Sequence, residues 1–194
     1  MNSRKFLFSI ILLLLLSLGC ALIASCATAA APKLPYAFLT DQAKYTLLPP
    51  DAIEKPMDMA QFVSASYRGQ KFYSNAWVQA DVSGIEFSLF SELGASIGDL
   101  SYRNGNVSFS SSVFPKSLKP EYIVADFQLC FYEPHLLERA LKDCGLALET
   151  VGANRRILSG KKLIVEIEKT PGAVKLVNHL RGYTYTLEGD FGGI

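Results

Sequence analysis

Histidine is scarce in this chain of 194 residues: His135 and His179 are the only two, far apart and with no partner at metal-ligand spacing. That excludes a histidine-built metal centre. No Gly-x-Ser-x-Gly elbow, phosphate-binding glycine loop or His-Glu-x-x-His stretch occurs either. The chain therefore lacks the signatures of an enzyme, and nothing in it calls for a cofactor or a metal. A basic block is missing as well. Lysine and arginine total 19 against 18 acidic residues, so no cluster displaces counterions from nucleic acid. Adhesion to anionic lipid headgroups by charge is excluded for the same reason. Cysteine is limited to four residues and tryptophan to Trp77.

One long apolar run stands out against these absences. Arg4 and Lys5 precede Phe6 to Leu22, and Ile23-Ala24-Ser25-Cys26 follows. A charged start, an apolar stretch and small residues at a cleavage point make a secretory signal. A Cys after an aliphatic-small-small triplet looks like a bacterial lipobox. On that reading residues 1–25 are removed and Cys26 is acylated. More than one acyl chain then gives durable attachment, each buried methylene contributing roughly 0.8 kcal/mol. The alternatives are a plain secretory signal or an uncleaved anchor, since a run of 17 residues lies near the lower limit for a span. Cys20 is a rival lipidation site, but Ser17 stands where an aliphatic residue is wanted. Ala27 follows Cys26, and an Asp there would retain a lipoprotein in the inner membrane of enteric-type bacteria. The expected location is thus the periplasmic face of the outer membrane. Cleavage removes two basic residues and no acidic one, leaving 17 against 18 and a net charge of −1. The expected organisation is signal peptide 1–25, acylated Cys26 and tether to residue 45, and one domain over 46–194.

Past an irregular lead-in with Pro49, Pro50 and Pro56, the pattern becomes β. Phe72, Ala76, Val78, Ala80 and Val82 alternate with polar neighbours, and Ile85, Phe87 and Leu89 do the same. Arg68-Gly69-Gln70, Ser83-Gly84 and Asn104-Gly105 read as turns. Five short antiparallel strands result, ending with Val107 and Phe109. The period then changes. Ile123, Val124, Phe127, Cys130 and Phe131 share one helix face, and Leu137, Ala140, Leu141 and Cys144 share another, with Gly145 as its stop. Alternation returns at Leu163, Val165 and Ile167 and at Tyr183, Tyr185 and Leu187. The sum is a mainly β (α+β) domain of nine or ten antiparallel strands with two helices inserted after the fifth, wrapped by a curved sheet or plugging an incomplete barrel.

Four stretches carry a family resemblance: Leu47-Leu48-Pro49-Pro50, Phe90-Ser91-Glu92-Leu93-Gly94, Ile123 to Leu129, and Val177 to Tyr183. The chain resembles the LolA/LolB superfamily of carriers for acylated proteins and lipids. Within it, the chain is most similar to LolB-like lipoproteins often encoded near aryl-polyene or fatty-acid-like biosynthesis genes. The resemblance implies a half-open antiparallel β-barrel, two helices as a lid, and an apolar cavity for acyl chains. It also implies an acylated cargo, a LolA-like periplasmic donor as partner, and a monomer. LolB carries an exposed Leu in an Asn-Pro-Leu-Gly turn, and Leu93 matches it, although Ser91 and Glu92 replace Asn and Pro. The other reading of Leu93 is a core residue, because it shares the parity of Ile85, Phe87 and Leu89.

The side chains expected to line the cavity are Phe72, Val78, Ile85, Phe87, Leu89, Val107, Phe109, Ile123 and Phe127. The alternative is that they fill a packed core. A hydrocarbon needs no directional contact, so a greasy concavity suffices, at roughly 25 cal/mol per Å² buried. Cys130 and Cys144 fall on inner faces of consecutive helices, and either a disulfide in an oxidising compartment or two buried thiols fits them. Asp126 is either solvated or a polar group that orients the lid. Arg155-Arg156 either bridges to sheet-edge acids, touches a phosphate headgroup or, the reading favoured for a charge pair, lies on a solvated face. Trp77, on the polar side of its strand, is expected at the surface.

Overall fold

The computed structural model describes residues 34–192, so the signal stretch and Cys26 lie outside the described residues. Residues 36–46, ahead of the expected domain start, contribute two strands. Two three-residue strands, β1 (Tyr36–Phe38) and β2 (Lys44–Thr46), pair with each other. Ala37, Leu39, Ala43, Tyr45 and Leu47 are buried in the core. Strands this short carry too few alternations to register as a sequence pattern. A 3-10 turn at Pro50–Ala52 leads into the main sheet.

Five strands form the first meander: β3 (Met57–Tyr67), β4 (Gln70–Asp81), β5 (Gly84–Phe90), β6 (Ser96–Arg103) and β7 (Asn106–Ser111). The turns Arg68–Gly69 and Asn104–Gly105 have positive φ at both central residues, the turn whose twist suits a two-residue hairpin. Along β4, Phe72, Ser74, Ala76, Val78 and Ala80 face the core while Tyr73, Asn75, Trp77 and Gln79 face out. Val82 does not continue that face. It lies in the following turn and is exposed.

Helix α1 (Pro120–Phe131) starts with Pro at its first turn, and α2 (Pro134–Asp143) follows after Tyr132 and Glu133. Gly145, at φ +79°, closes α2: its N–H bonds Lys142 O at 3.0 Å and the Leu146 N–H bonds Leu141 O at 2.9 Å. A second meander returns as β8 (Ala147–Val151), β9 (Asn154–Ser159), β10 (Lys162–Thr170), β11 (Ala173–Asn178) and β12 (Tyr183–Glu188).

The two meanders join into one antiparallel ten-stranded sheet ordered β7-β6-β5-β4-β3-β12-β11-β10-β9-β8. The seam is β12 against β3, with Tyr185 opposite Ala65. Helices α1 and α2 connect β7 to β8, which are the sheet's two edges and do not pair with each other. The expected mainly β architecture is present, with helices after the fifth strand of the main sheet. The sheet is not closed.

Helix α1 lies against β1, β7 and β11, and Val124 to Phe131 is buried without a break. A helix covered on one side only would alternate. Here the sheet covers one side and the lead-in covers the other, so Ala125 and Leu129 are as buried as Phe127.

Candidate functional site

Strand register gathers the apolar side chains of β4–β7 onto the face that α1 covers. Val78 opposes Phe87, Ala80 opposes Ile85, Phe87 opposes Leu100, and Leu100 opposes Phe109. Val78, Ile85, Phe87 and Phe127 are buried, with the Phe87 and Phe127 ring centroids 5.2 Å apart. Leu89, Val107, Phe109 and Ile123 are half-buried against the same core. Phe72 is half-buried beside Phe114, whose ring lies 5.2 Å away and also meets Phe109 at 5.9 Å. Phe127 reaches them from α1, its ring meeting Phe87 at 5.2 Å and Phe131 at 4.8 Å.

An open cavity of about 60 Å³ lies where β3 begins, lined by Glu54, Lys55, Met57, Phe131, Lys169 and Phe191. Phe131 and Phe191 stack at 5.7 Å to form one wall. Lys169 Nζ lies 3.6 Å from Glu54, and Arg155 donates to the same carboxylate at 3.0 Å and to Leu129 O at 2.9 Å. Both cations sit at the carboxyl end of α1, where the helix dipole is negative. Burial pulls both below their ordinary values, opposed by Glu54. Arg155 is thus inward, not solvated. Its neighbour Arg156 is the surface residue and pairs with Glu149 at 3.3 Å. Adjacent strand residues point to opposite faces, so the two arginines could not share one environment.

Two polar residues of α1 hold it from opposite sides. Gln128 is fully buried. Its Oε1 accepts from Tyr45 Oη and from Leu48 N, both at 3.0 Å, and its Nε2 donates to Leu48 O at 2.7 Å. These bonds tie the lead-in across the helix. On the sheet side Asp126 accepts from Tyr183 Oη at 2.7 Å, and Tyr183 Oη accepts from Asn178 at 3.1 Å. Asp126 is buried, not solvated. Burial raises its pKa to about 7, against the lowering effects of the Tyr183 hydroxyl and Arg181. Arg181 also lies over the Tyr122 ring at 4.8 Å. Two stretches singled out in the sequence, Ile123 to Leu129 and Val177 to Tyr183, therefore meet here.

The thiols of Cys130 and Cys144 are not joined; among the described residues both are free. Cys130 Sγ lies 3.8 Å from Tyr185 Oη, and burial pushes it up to about 12. Cys144 ends α2 rather than lying within it, and its thiol donates to Leu141 O at 3.2 Å. The helical spacing that would have faced them together does not extend to that cap position.

Leu93 is 97% exposed, the most exposed large apolar side chain among the described residues. It tops the β5–β6 hairpin and is no core residue, because β5 ends at Phe90 and parity ends with it. The loop is tightly bonded: Ser91 N to Ala95 O at 2.8 Å, Gly94 N to Ser91 O at 2.9 Å, and Ala95 N to Ser91 Oγ at 3.1 Å. Gly94 has φ +83°, the left-handed conformation that glycine adopts without strain. Trp77 is at the surface as expected and donates to Asp58 at 2.9 Å. His135 is exposed at the start of α2 near Glu133. His179 lies in the β11–β12 turn, 3.4 Å from Glu166.

A family model described as "Protein of unknown function (DUF3261)" matches residues 58–189. The chain belongs to that family. The DUF3261 segment takes in all of the ten-stranded sheet but Met57, together with both helices, Leu93, Asp126 and Gln128. It leaves out β1, β2 and the lead-in that Gln128 binds. No curated protein matches the chain. Among the described residues, no helix is long and apolar enough to cross a membrane.

Sequence reasoning missed the residues of the cavity, since Met57, Lys169 and Phe191 come from three distant segments. It also passed over Gln61 and Ser74, polar residues at apolar-parity positions of β3 and β4. That parity was a readable signal.

Proposed function

We propose that this protein is a lipoprotein, acylated at Cys26 and held at the periplasmic face of the outer membrane, that binds or passes on an acylated molecule. In this reading the ten-stranded sheet is a half-open barrel of the LolA/LolB type, and α1 is its lid. The cargo is a lipoprotein, a glycolipid or a polyene lipid, and a LolA-like donor delivers it. The observation that carries the reading is the unclosed sheet, whose edges β7 and β8 do not pair with each other while α1 lies over its apolar face. Lifting α1 would expose Val78, Ile85, Phe87 and Leu89 together, a surface that hydrocarbon covers favourably at roughly 25 cal/mol per Å². Transfer then needs no nucleotide, only a downhill path between apolar environments. Leu93 supports the second half of the reading. An apolar side chain on a short, hydrogen-bonded tip can enter a bilayer without costing conformational order in its loop.

A membrane extract tests this directly. Native mass spectrometry of the full protein is expected to show a co-purifying lipid and a chain mass that begins at acylated Cys26. Leu93→Glu is expected to bind that lipid as the parent does but to lose delivery of a labelled acylated molecule to vesicles. Equal delivery by Leu93→Glu refutes the role of Leu93.

A second reading is favoured by the close packing of Phe127 against Phe87 and Phe131. It makes the protein a non-catalytic scaffold of an envelope complex. Recovery of the protein without lipid, and with no uptake from labelled donors, selects that reading.

A further inference from the structure

Two buried polar atoms on the face that α1 covers have no hydrogen-bond partner among the described residues: Gln61 Nε2 and Ser74 Oγ. The residues are 4% and 0% exposed. Gln61 lies on β3 opposite Ala76, and Ser74 lies on β4 opposite Val63, so the two are diagonal neighbours on one face. Such pairs sit about 7–8 Å apart at the backbone, within reach of a single atom placed between long side chains. Their surroundings by register are Val63, Phe72, Ala76 and Val78, all apolar. A buried donor without an acceptor is costly, and a leucine and an alanine would avoid that cost. The sequence keeps two donors instead.

We propose that Gln61 and Ser74 form a contact point for the carbonyl oxygen of an acyl ester or amide drawn into the apolar interior. This rests on the carrier reading and specifies its cargo. An amide N–H and a hydroxyl both donate, and a carbonyl oxygen has two lone pairs to accept both. A plain alkyl chain offers neither. The entry is the cavity beside Phe131 and Phe191. Met57 lines it, and Met57, Met59 and Gln61 follow one another on the same face of β3. Gln61 is then about 13 Å further in, at four strand residues from the mouth. Gly189 keeps this row clear. A Cβ there would come within 2.6 Å of Met59 Cε and 3.5 Å of Gln61 Cγ. Phe191, two residues later, must leave Phe131 for a chain to pass.

The test uses the full-length protein and two lipids that differ only in the carbonyl: 1-palmitoylglycerol, an ester, and 1-O-hexadecylglycerol, its ether. Both are added in equal amount to one sample, and native mass spectrometry reads the ratio of adducts. The expected ratio favours the ester by about tenfold, the effect of two neutral hydrogen bonds. Gln61→Met combined with Ser74→Ala is expected to bring the ratio close to one through loss of the ester adduct. Equal binding of ester and ether by the parent protein overturns the proposal, and that measurement does not depend on any variant folding. Retention of the ester preference in the double variant also overturns it. Absence of both adducts defeats the carrier reading itself, and this inference with it.

Discussion

Replacing Asp126 with asparagine isolates one charge at the junction between α1 and the sheet. The carboxyl is ordinarily near 3.8, and burial in the folded protein raises it to about 7. Between those values the folded state binds a proton that the unfolded state has released. Stability therefore falls as pH rises through this window. The contribution is fully present below pH 4 and lost above pH 7. At about 1.4 kcal/mol per unit, three units amount to roughly 4 kcal/mol as an upper bound. The other groups around Asp126 do not change state over this range. Cys130 is pushed up to about 12, and burial raises Tyr183 and Tyr185 above their ordinary values. The side-chain amide of the Asp126→Asn variant would keep an oxygen that accepts from Tyr183, so the geometry survives. Urea titrations at pH 5, 6, 7 and 8 are the assay. The parent is expected to weaken steadily, and Asp126→Asn is expected to weaken far less, with an advantage of several kcal/mol at pH 8. Parallel pH profiles for parent and variant would refute the assignment of a proton to Asp126.

Gln128→Leu is expected to cost about 2–4 kcal/mol by chemical denaturation, because Tyr45 Oη and both backbone groups of Leu48 lose their buried partner. An unchanged midpoint would show that the lead-in is not held through Gln128. Phe127→Ala removes the ring that meets Phe87 and Phe131 and is expected to cost about 3–5 kcal/mol. A loss below 1 kcal/mol would mean that the interior collapses to fill the gap. Thermal melting is expected to be the same with and without a reducing agent, since Cys130 and Cys144 are both free. A marked drop on reduction would reveal a bridge. Leu93→Glu is expected to leave the melting temperature within a degree or two of the parent, as its side chain touches little of the fold.

Local alternation was the readable part of this protein. Strand β4 follows from it because one of its faces lies on the core and the other in water. Parity failed where a strand stopped: Val82 and Leu93 continue an apolar pattern past the last paired residue and end up in solvent. Helical spacing failed at Cys144 for a similar reason, being one residue beyond the helix. Arg155 was hidden because charge argues for solvent, whereas the end of α1 and Glu54 supply the partners that bring it inside. The burial of α1 on all sides was illegible, since the lead-in that covers it folds back over some 80 residues of sequence. The pairing of β12 with β3 is equally remote in sequence. For the candidate site, Leu93 was found by resemblance and the packed aromatics by pattern. Gln61 and Ser74 show only once their faces are known.

The order of the strands has a consequence for biogenesis. Strand β3 lies in the middle of the finished sheet, yet its second neighbour is the last strand of the chain. Until Tyr183 to Glu188 emerges, the backbone of Phe62 to Tyr67 has an uncovered rim able to pair with another strand. A growing chain thus carries the first fan with β3 as an open edge until the second fan is made, and a break that removes the final six-residue strand would be felt at the centre of the molecule rather than at its margin.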